Sequence, residues 1–285
     1  MKSIRTISEL REWRAEQSEV IFVPTMGALH AGHMSLVQEA RRCAGERGVV
    51  IVSIFVNPTQ FDRPEDLENY PSTIESDLAL CEEYGVDAVF FPQVTDVYPE
   101  DASVSLIERS LSTTLCGATR PGHFDGVCTV VLKLYNMVQP QVMCFGKKDF
   151  QQLAIIRRMM RDLNVDVQIV GVDTVREEDG LAMSSRNARL DQLARAEAPL
   201  IYQTLCAVKA GVEQGELSLS GVRSAVEQGL AGVESETRID YVEVVDEESL
   251  AVVQAEGGGR CVVAVAIFFA GIRLIDHITV DLEVV

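Results

Sequence analysis

"VIFVPTMGALHAGH" runs from Val20 to His33. Its first four residues are apolar, Gly27 and Gly32 free the backbone beyond them, and apolar residues then recur at helical spacing at Met34, Val37, Ala40 and Ala44. This predicts a buried strand over Val20–Val23 that turns through glycine into a helix over His33–Arg47. Two of the chain's four histidines, His30 and His33, stand three residues apart in that turn, the others being His123 and His277.

Working outward, the same alternation continues. "GVVIVSIFVN" (Gly48–Asn57) is almost continuously apolar and β-branched, as in a strand buried on both faces. Ser72–Tyr84 reads as a helix stopped by Gly85, and "DAVFFP" (Asp87–Pro92) as a strand. A helix over Phe124–Val138, a strand over Gln141–Gly146, a helix over Asp149–Leu163 and a strand over Val165–Val172 follow. Buried strands alternating with helices predict an α/β fold with a parallel sheet and right-handed crossovers. In such sheets ligands bind beyond the carboxyl ends of the strands. Pro24–His33, Asn57–Gln60 and Gly146–Asp149 each follow a strand directly.

After about Val175 the texture changes. Helical stretches over Asp191–Glu213 and Ser218–Leu230 precede three strand-like runs, Arg238–Asp246, Arg260–Phe269 and Arg273–Leu282, with turns at Gly257–Gly259 and Ala270–Gly271. This predicts a smaller α+β domain with an antiparallel sheet. The boundary is placed at 176/177, giving domains 1–176 and 177–285. No internal repeat or low-complexity linker interrupts the chain.

Composition narrows the function. The 285 residues are 47% hydrophobic and 24% charged, ordinary for a globular protein. A net charge of −18 repels phosphate backbones at long range, which argues against nucleic acid as a partner. A small anion is still compatible, because it needs only a local cluster of cations. The N-terminus lacks the apolar core of a secretory signal, and the longest apolar run, Cys261–Ile272, is too short to span a bilayer. The seven cysteines are odd in number, widely spaced and free of C-x-x-C pairs. They read as reduced core residues of a cytoplasmic protein, not as metal ligands; one catalytic cysteine stays open, with nothing beside any of them to argue for it.

Five motifs carry chemistry. The glycine turn of Pro24–His33 presents backbone N–H groups at a helix N-terminus, where anions bind. Imidazole N–H groups at i and i+3 suit phosphate oxygens and the charge of a pentacovalent phosphorus. A plain helix-capping loop is the alternative. "FVNPTQF" (Phe55–Phe61) puts the neutral amides of Asn57 and Gln60 after a strand, suited to a substrate with hydroxyl and carboxylate groups. "TRPGHFDGV" (Thr119–Val127) offers Arg120 and His123, and reads equally as a loop with a helix cap. "FGKKDFQQL" (Phe145–Leu153) sets Lys148 near a helix N-terminus as a phosphate ligand, Asp149 as a possible cap, and Gln151 and Gln152 on the first turn. "REEDGLAMSSRN" (Arg176–Asn187) joins two hydroxyls to Arg186 as a compact phosphate clamp, or simply a polar cap.

In order and spacing, "PTMGALHAGH", "FVNPTQF", "RPGHFDGV", "FGKKDFQQL" and "DGLAMSSRN" resemble the pantoate–β-alanine ligase (pantothenate synthetase) family. That family lies within the H-x-G-H nucleotidylyltransferase superfamily, and "MSSR" resembles its second motif. The resemblance implies a Rossmann-like parallel sheet with helices on both faces, a smaller C-terminal lid domain, and usually a homodimer. It also implies adenylation of pantoate by Mg-ATP, then attack of β-alanine on the pantoyl adenylate. Residue by residue it places ATP on Met26, Gly27, Ala28, Leu29, His30, Ala31, Gly32 and His33, with His33 the proton donor. Gly146, Lys147, Lys148, Asp149, Val175, Met183, Ser184, Ser185 and Arg186 complete that nucleotide set, and Gln60 and Gln152 take pantoate, with Asn57 and Arg120 as lesser candidates. His33, His30 and Lys148 are the catalytic set; ATP and Mg²⁺ are the cofactors, with no dedicated protein metal site. One departure is visible: the family commonly has glutamate where this chain has Lys147. Asp125 has no assignment. Two rival readings use the same histidines and lysine, a nucleotidylyltransferase that leaves the nucleotide on its product and a non-catalytic nucleotide-binding protein.

Overall fold

The structure is a computed structural model that describes residues 1–253 and 259–282. In chain order its elements are β1 (Lys2–Ile4), α1 (Ile7–Ala15), β2 (Val20–Thr25), α2 (Ala31–Ala44), β3 (Val49–Ile54), α3 (Pro64–Glu68), α4 (Ile74–Glu83), β4 (Ala88–Phe90) and α5 (Val94–Val97). There follow α6 (Leu115–Thr119), α7 (His123–Val138), β5 (Val142–Gly146), α8 (Phe150–Asp162), β6 (Gln168–Val172), α9 (Gln192–Glu197), α10 (Leu200–Glu213) and α11 (Val222–Gly229). The last three are β7 (Thr237–Asp246), β8 (Gly259–Phe269) and β9 (Ile272–Leu282). The chain divides into two compact units. One comprises Met1–Ser110, Arg120–Lys147 and Gln152–Asp173; the other comprises Leu111–Thr119, Lys148–Gln151 and the chain from Thr174 onward.

The first unit is the expected α/β layer structure. Its six strands are all parallel, in the order β1-β4-β3-β2-β5-β6. The central strands are almost continuously apolar, Thr25 and Ser53 being the buried polar exceptions, because both faces are covered. Ile21 and Val23 face the cluster built with Met34, Val37 and Ala40 of α2, while Phe22 between them is fully buried among other residues, and α7 packs against β2 and α1. Each such side chain contributes roughly 1.5–3 kcal/mol by leaving water. Chain order runs outward from β2 through β3 to β4 on one side and from β5 to β6 on the other. The carboxyl ends of β2 and β5 therefore flank the switch point where such sheets hold ligands.

The second unit carries the expected antiparallel sheet, β7-β8-β9, with a register shift between Ile239 and Tyr241. Its core sets Leu205 and Val208 of α10 and Val226 of α11 against Val263, Val265 and Ile267 of β8. The helix expected over Asp191–Glu213 is two helices, α9 and α10, parted at Pro199, whose missing N–H cannot continue the ladder. The strand expected from Val165 begins only at Gln168. The turn at Ala270–Gly271 is present, with both residues at positive φ; of the turn expected at Gly257–Gly259, the first two residues lie outside the described residues.

Candidate active site

β2 ends at Thr25, and the chain must reverse sharply to start α2. Gly27 takes φ +84°, and a Cβ there would come within 3.0 Å of both Asp77 Oδ2 and Ile54 Cγ2, so only glycine fits. Ala28 is also left-handed, at φ +50°, a conformation that costs a non-glycine residue about 1 kcal/mol or more. Asp77 of α4 holds it there. Only 2% exposed, its carboxylate accepts the amides of Ala28 (3.0 Å) and Leu29 (2.8 Å).

The two histidines then cap α2 reciprocally. His30 Nδ1 accepts the amide of Gly32 (3.1 Å), and His33 Nδ1 accepts the amide of His30 (3.3 Å). This is the geometry of a capping box, built from imidazoles in place of the usual hydroxyl and carboxylate. A ring nitrogen that accepts a bond carries no proton, so each neutral ring carries its proton on Nε2. The cap thus sets both tautomers and packs the rings with centroids 4.1 Å apart. The helix N-terminus and two imidazole Nε2–H groups are donor types that suit an anion.

The turn after β3 is organised by Asn57, which is 1% exposed. Its Nδ2 donates to Gln60 Oε1 (2.9 Å) and to the Gly126 carbonyl (3.2 Å), and its Oδ1 accepts from the hydroxyls of Thr59 and Tyr98 (2.9 Å each). The amide of Asn57 is thereby committed to protein partners, and what it does is aim Gln60. Gln60 Nε2 in turn donates to Met26 Sδ (3.1 Å), tying this turn to the one after β2. The Gln60 carbonyl accepts from His123 Nδ1 (2.7 Å) and from Arg120 (3.3 Å). A carbonyl only accepts and a guanidinium only donates, and Arg120 also reaches His123 Nε2 at 3.3 Å. His123 is therefore the Nδ1–H tautomer, opposite to the capping pair. Arg120 is anchored in turn by Asp62 at 2.8 Å. Burial raises the Asp62 carboxyl, but the hydrogen bond and charge of Arg120 outweigh it and hold the group below the usual carboxylate range.

β5 ends at Gly146. Lys147 turns to Asp173 in an exposed ion pair (2.6 Å), which assigns the lysine that departs from the family pattern to the surface. Lys148 and Asp149 come next, 3.8 Å apart, and Gln152 lies half-buried on the first turn of α8. Within the second unit, Val175 and Met183 pair through their backbones at 3.0 Å across a turn closed by Gly180. Ser184 Oγ accepts the amide of Arg186 (3.2 Å) and caps the short 3-10 turn Ser185–Arg189. A shallow open hollow in this unit is lined by Lys148, Ser184, Arg186, Arg273 and Asp276 among others. Two of the lining's charged groups are paired, Asp276 with Arg176 (2.6 and 3.0 Å) and Arg273 with Asp240 (2.9 and 2.7 Å), while Lys148 and Arg186 add two more cations to it. Asn187, 8% exposed, also lines it, and its Oδ1 has no hydrogen-bond partner.

These donors suit phosphate. Among the described residues no group of three or more His, Cys, Asp and Glu side chains is placed to hold a metal ion. All seven cysteines are unpaired, and burial pushes the Cys81, Cys128 and Cys144 thiols up to about 12, which leaves them un-ionised and unsuited to nucleophilic roles.

The family model for Pantoate-beta-alanine ligase matches residues 2–279. The chain belongs to the pantoate-beta-alanine ligase family. Pantothenate synthetase of Akkermansia muciniphila is 48% identical over 282 residues, covering 98% of this chain and 99% of the relative. The crystal structure of pantothenate synthetase from Thermus thermophilus superposes with a TM-score of 0.88 at 45% identity, covering 98% of this chain and 99% of that one. Pantoate-beta-alanine ligase from Francisella tularensis, complexed with beta-gamma ATP and beta-alanine, matches with a TM-score of 0.79 at 30% identity, over 98% and 97% of the two chains.

Within this ligase-family chain, the first unit gathers Met26, His30, His33, Asn57, Gln60 and Arg120 at the carboxyl ends of β2 and β3, and the second gathers Lys148, Ser184 and Arg186 around one hollow. Sequence reasoning missed Asp77, Asp62, Gly126 and Arg273. Gly126 lets α7 lie on the turn after β3, since a Cβ there would sit 2.4 Å from the Thr59 carbonyl oxygen. Asp125, left without a role, accepts the amide of Glu108 (2.9 Å) and holds the segment before α6. Only Gly126 left a signal in the sequence, a glycine inside an otherwise apolar helix.

Proposed function

We propose that the chain joins pantoate to β-alanine at the expense of Mg-ATP, through a pantoyl adenylate. A carboxylate oxygen of pantoate attacks the α-phosphorus, the α–β phosphoanhydride bond breaks, and pyrophosphate leaves. The neutral amine of β-alanine then attacks the acyl carbon, the acyl–oxygen bond breaks, AMP leaves, and the nitrogen sheds a proton. The observation that carries this reading is the histidine cap after β2. It supplies two Nε2–H donors at a helix N-terminus, the arrangement needed where negative charge grows on phosphorus and on departing pyrophosphate. His33 is assigned the donor role in that step, and Lys148, Ser184, Ser185 and Arg186 the phosphates. Gln60, aimed by Asn57 and steadied by Arg120 and His123, is assigned to pantoate together with Gln152. Among the described residues no carboxylate cluster is placed to hold Mg²⁺, which would enter with ATP and offset phosphate charge. No helix among the described residues is long and apolar enough to cross a membrane. A homodimer in the cytoplasm is part of the same reading: the resemblance implies the dimer, and seven cysteines outside any disulfide fit a reducing compartment.

The test is pyrophosphate and AMP release from Mg-ATP with and without D-pantoate and β-alanine. Pantoate-dependent pyrophosphate, with AMP freed on adding β-alanine, is the expected result. A nucleotidyl group retained on the product would instead mark a transferase. Pyrophosphate release that ignores pantoate would reject the substrate assignment.

A further inference from the structure

His277 is the one histidine that none of the chemistry above uses. It lies on β9, yet its ring stacks on Phe150, with centroids 5.2 Å apart and planes inclined by 27°. Phe150 is the first residue of α8 and follows Lys148 and Asp149 directly. A second tie holds the same turn. Gln151, only 5% exposed, donates from Nε2 to the carbonyls of Leu111 and Thr114, both at 2.8 Å. These contacts explain why Lys148–Gln151 groups with the second unit although β5 and the rest of α8 belong to the first.

We propose that His277 is a positioning residue for Lys148: its ring, stacked on Phe150, fixes the start of α8 and so sets where the Lys148 ammonium stands in the hollow it shares with Ser184 and Arg186. The proposal rests on the phosphate role assigned to Lys148 above. The lysine stem has four rotatable bonds and gains little from a site unless its backbone is held. Hydrogen bonds from Gln151 fix the position of the turn, and the flat contact of Phe150 on His277 fixes its rotation. The charged groups facing the ring are Asp276, Arg176, Asp149 and Lys148. Asp276 is already paired with Arg176, so none of them demands a charge on the imidazole. Burial keeps the ring below its ordinary value, so at neutral pH the stack is one of uncharged rings. What the position requires is therefore a flat aromatic face, not a proton.

The experiment measures the dissociation constant of Mg-ATP by equilibrium titration, and the KM for pantoate at saturating ATP, for His277→Ala, His277→Phe and Lys148→Ala. His277→Ala is expected to weaken Mg-ATP about three- to tenfold, the scale of one lost aromatic pair, with pantoate KM unchanged. His277→Phe restores the flat face and is expected to bind Mg-ATP within about twofold of the wild type on the same scale. If His277→Ala binds Mg-ATP as tightly as the wild type while Lys148→Ala does not, the positioning role is wrong and the phosphate role of Lys148 stands. If Lys148→Ala leaves Mg-ATP binding unchanged, the phosphate assignment falls and this proposal with it. If His277→Ala shifts Mg-ATP and pantoate alike and His277→Phe rescues neither, the residue serves general folding and the proposal is overturned.

Discussion

Single residues in this site do two jobs at once. His30 and His33 cap a helix with Nδ1 and are proposed to use Nε2–H as a phosphate donor, so replacing either would remove the cap and the proposed donor together. His33→Ala is expected to lose at least about 2.7 kcal/mol of transition-state stabilisation in kcat, the scale of one oxyanion donor, at temperatures where the variant is folded. A near-normal kcat would remove His33 from the chemistry. His30→Asp separates the two jobs differently. Aspartate is a preferred N-cap and suits the positive end of the helix, so the variant should melt about 1–3 °C higher. It also puts a negative charge where phosphate is expected, so turnover should collapse. Calorimetry and a pyrophosphate assay on one preparation check both, and a variant both more stable and fully active would disprove the anion site. The histidine pair was legible in the sequence because its spacing and glycines are local. Asp77 was not, because the amides it accepts lie about fifty residues earlier in the chain, at Ala28 and Leu29.

At the level of elements, the turn after β3 depends on α7 offering no side chain at Gly126. Gly126→Ala would improve helix propensity by about 1 kcal/mol, but its Cβ would meet the Thr59 carbonyl, and overpacking costs about 1–3 kcal/mol. The expected outcome is a lower melting temperature together with a raised KM for pantoate, since the turn that carries Gln60 must shift. Unchanged stability and pantoate KM would show that the turn yields freely. β9 gives a pH prediction. His277 is held below the ordinary imidazole value of 6.5, so the unfolded chain takes up this proton at a higher pH than the folded one does. The stability it contributes is complete above 6.5 and is lost as pH falls from there through the folded-state value. Between pH 8 and 5 the melting temperature of the wild type should therefore fall further than that of His277→Phe; equal falls would dismiss the buried histidine as the source. Most of these elements were readable from the sequence, because strands covered on both faces are almost continuous apolar runs. β1 and α1 were not, having three residues in one case and only Leu10 and Trp13 buried in the other. The signal present there was the capping pair Thr6 and Glu9, whose side chain and backbone groups close on each other.

Across the whole molecule, a net charge of −18 opposes the arrival of an anionic nucleotide, while the phosphate ligands proposed above, Lys148 and Arg186, would attract it only nearby. Screening separates the two ranges, since the Debye length falls from about 30 Å at 0.01 M to about 8 Å at 0.15 M ionic strength. Raising salt over that interval should therefore increase kcat/KM for Mg-ATP; a steep fall would mean that local cations govern approach at all distances. The boundary between the two units was the least legible feature of all, because contacts decide it and not chain order. Leu111–Thr119 and Lys148–Gln151 are claimed by the second unit from inside the span of the first. Modularity suffers as a result. No single cut in the gene separates the two parts, so a fragment ending near residue 173 carries two stretches whose native neighbours are missing. Swapping the second unit between relatives calls for three exchanged segments in place of one.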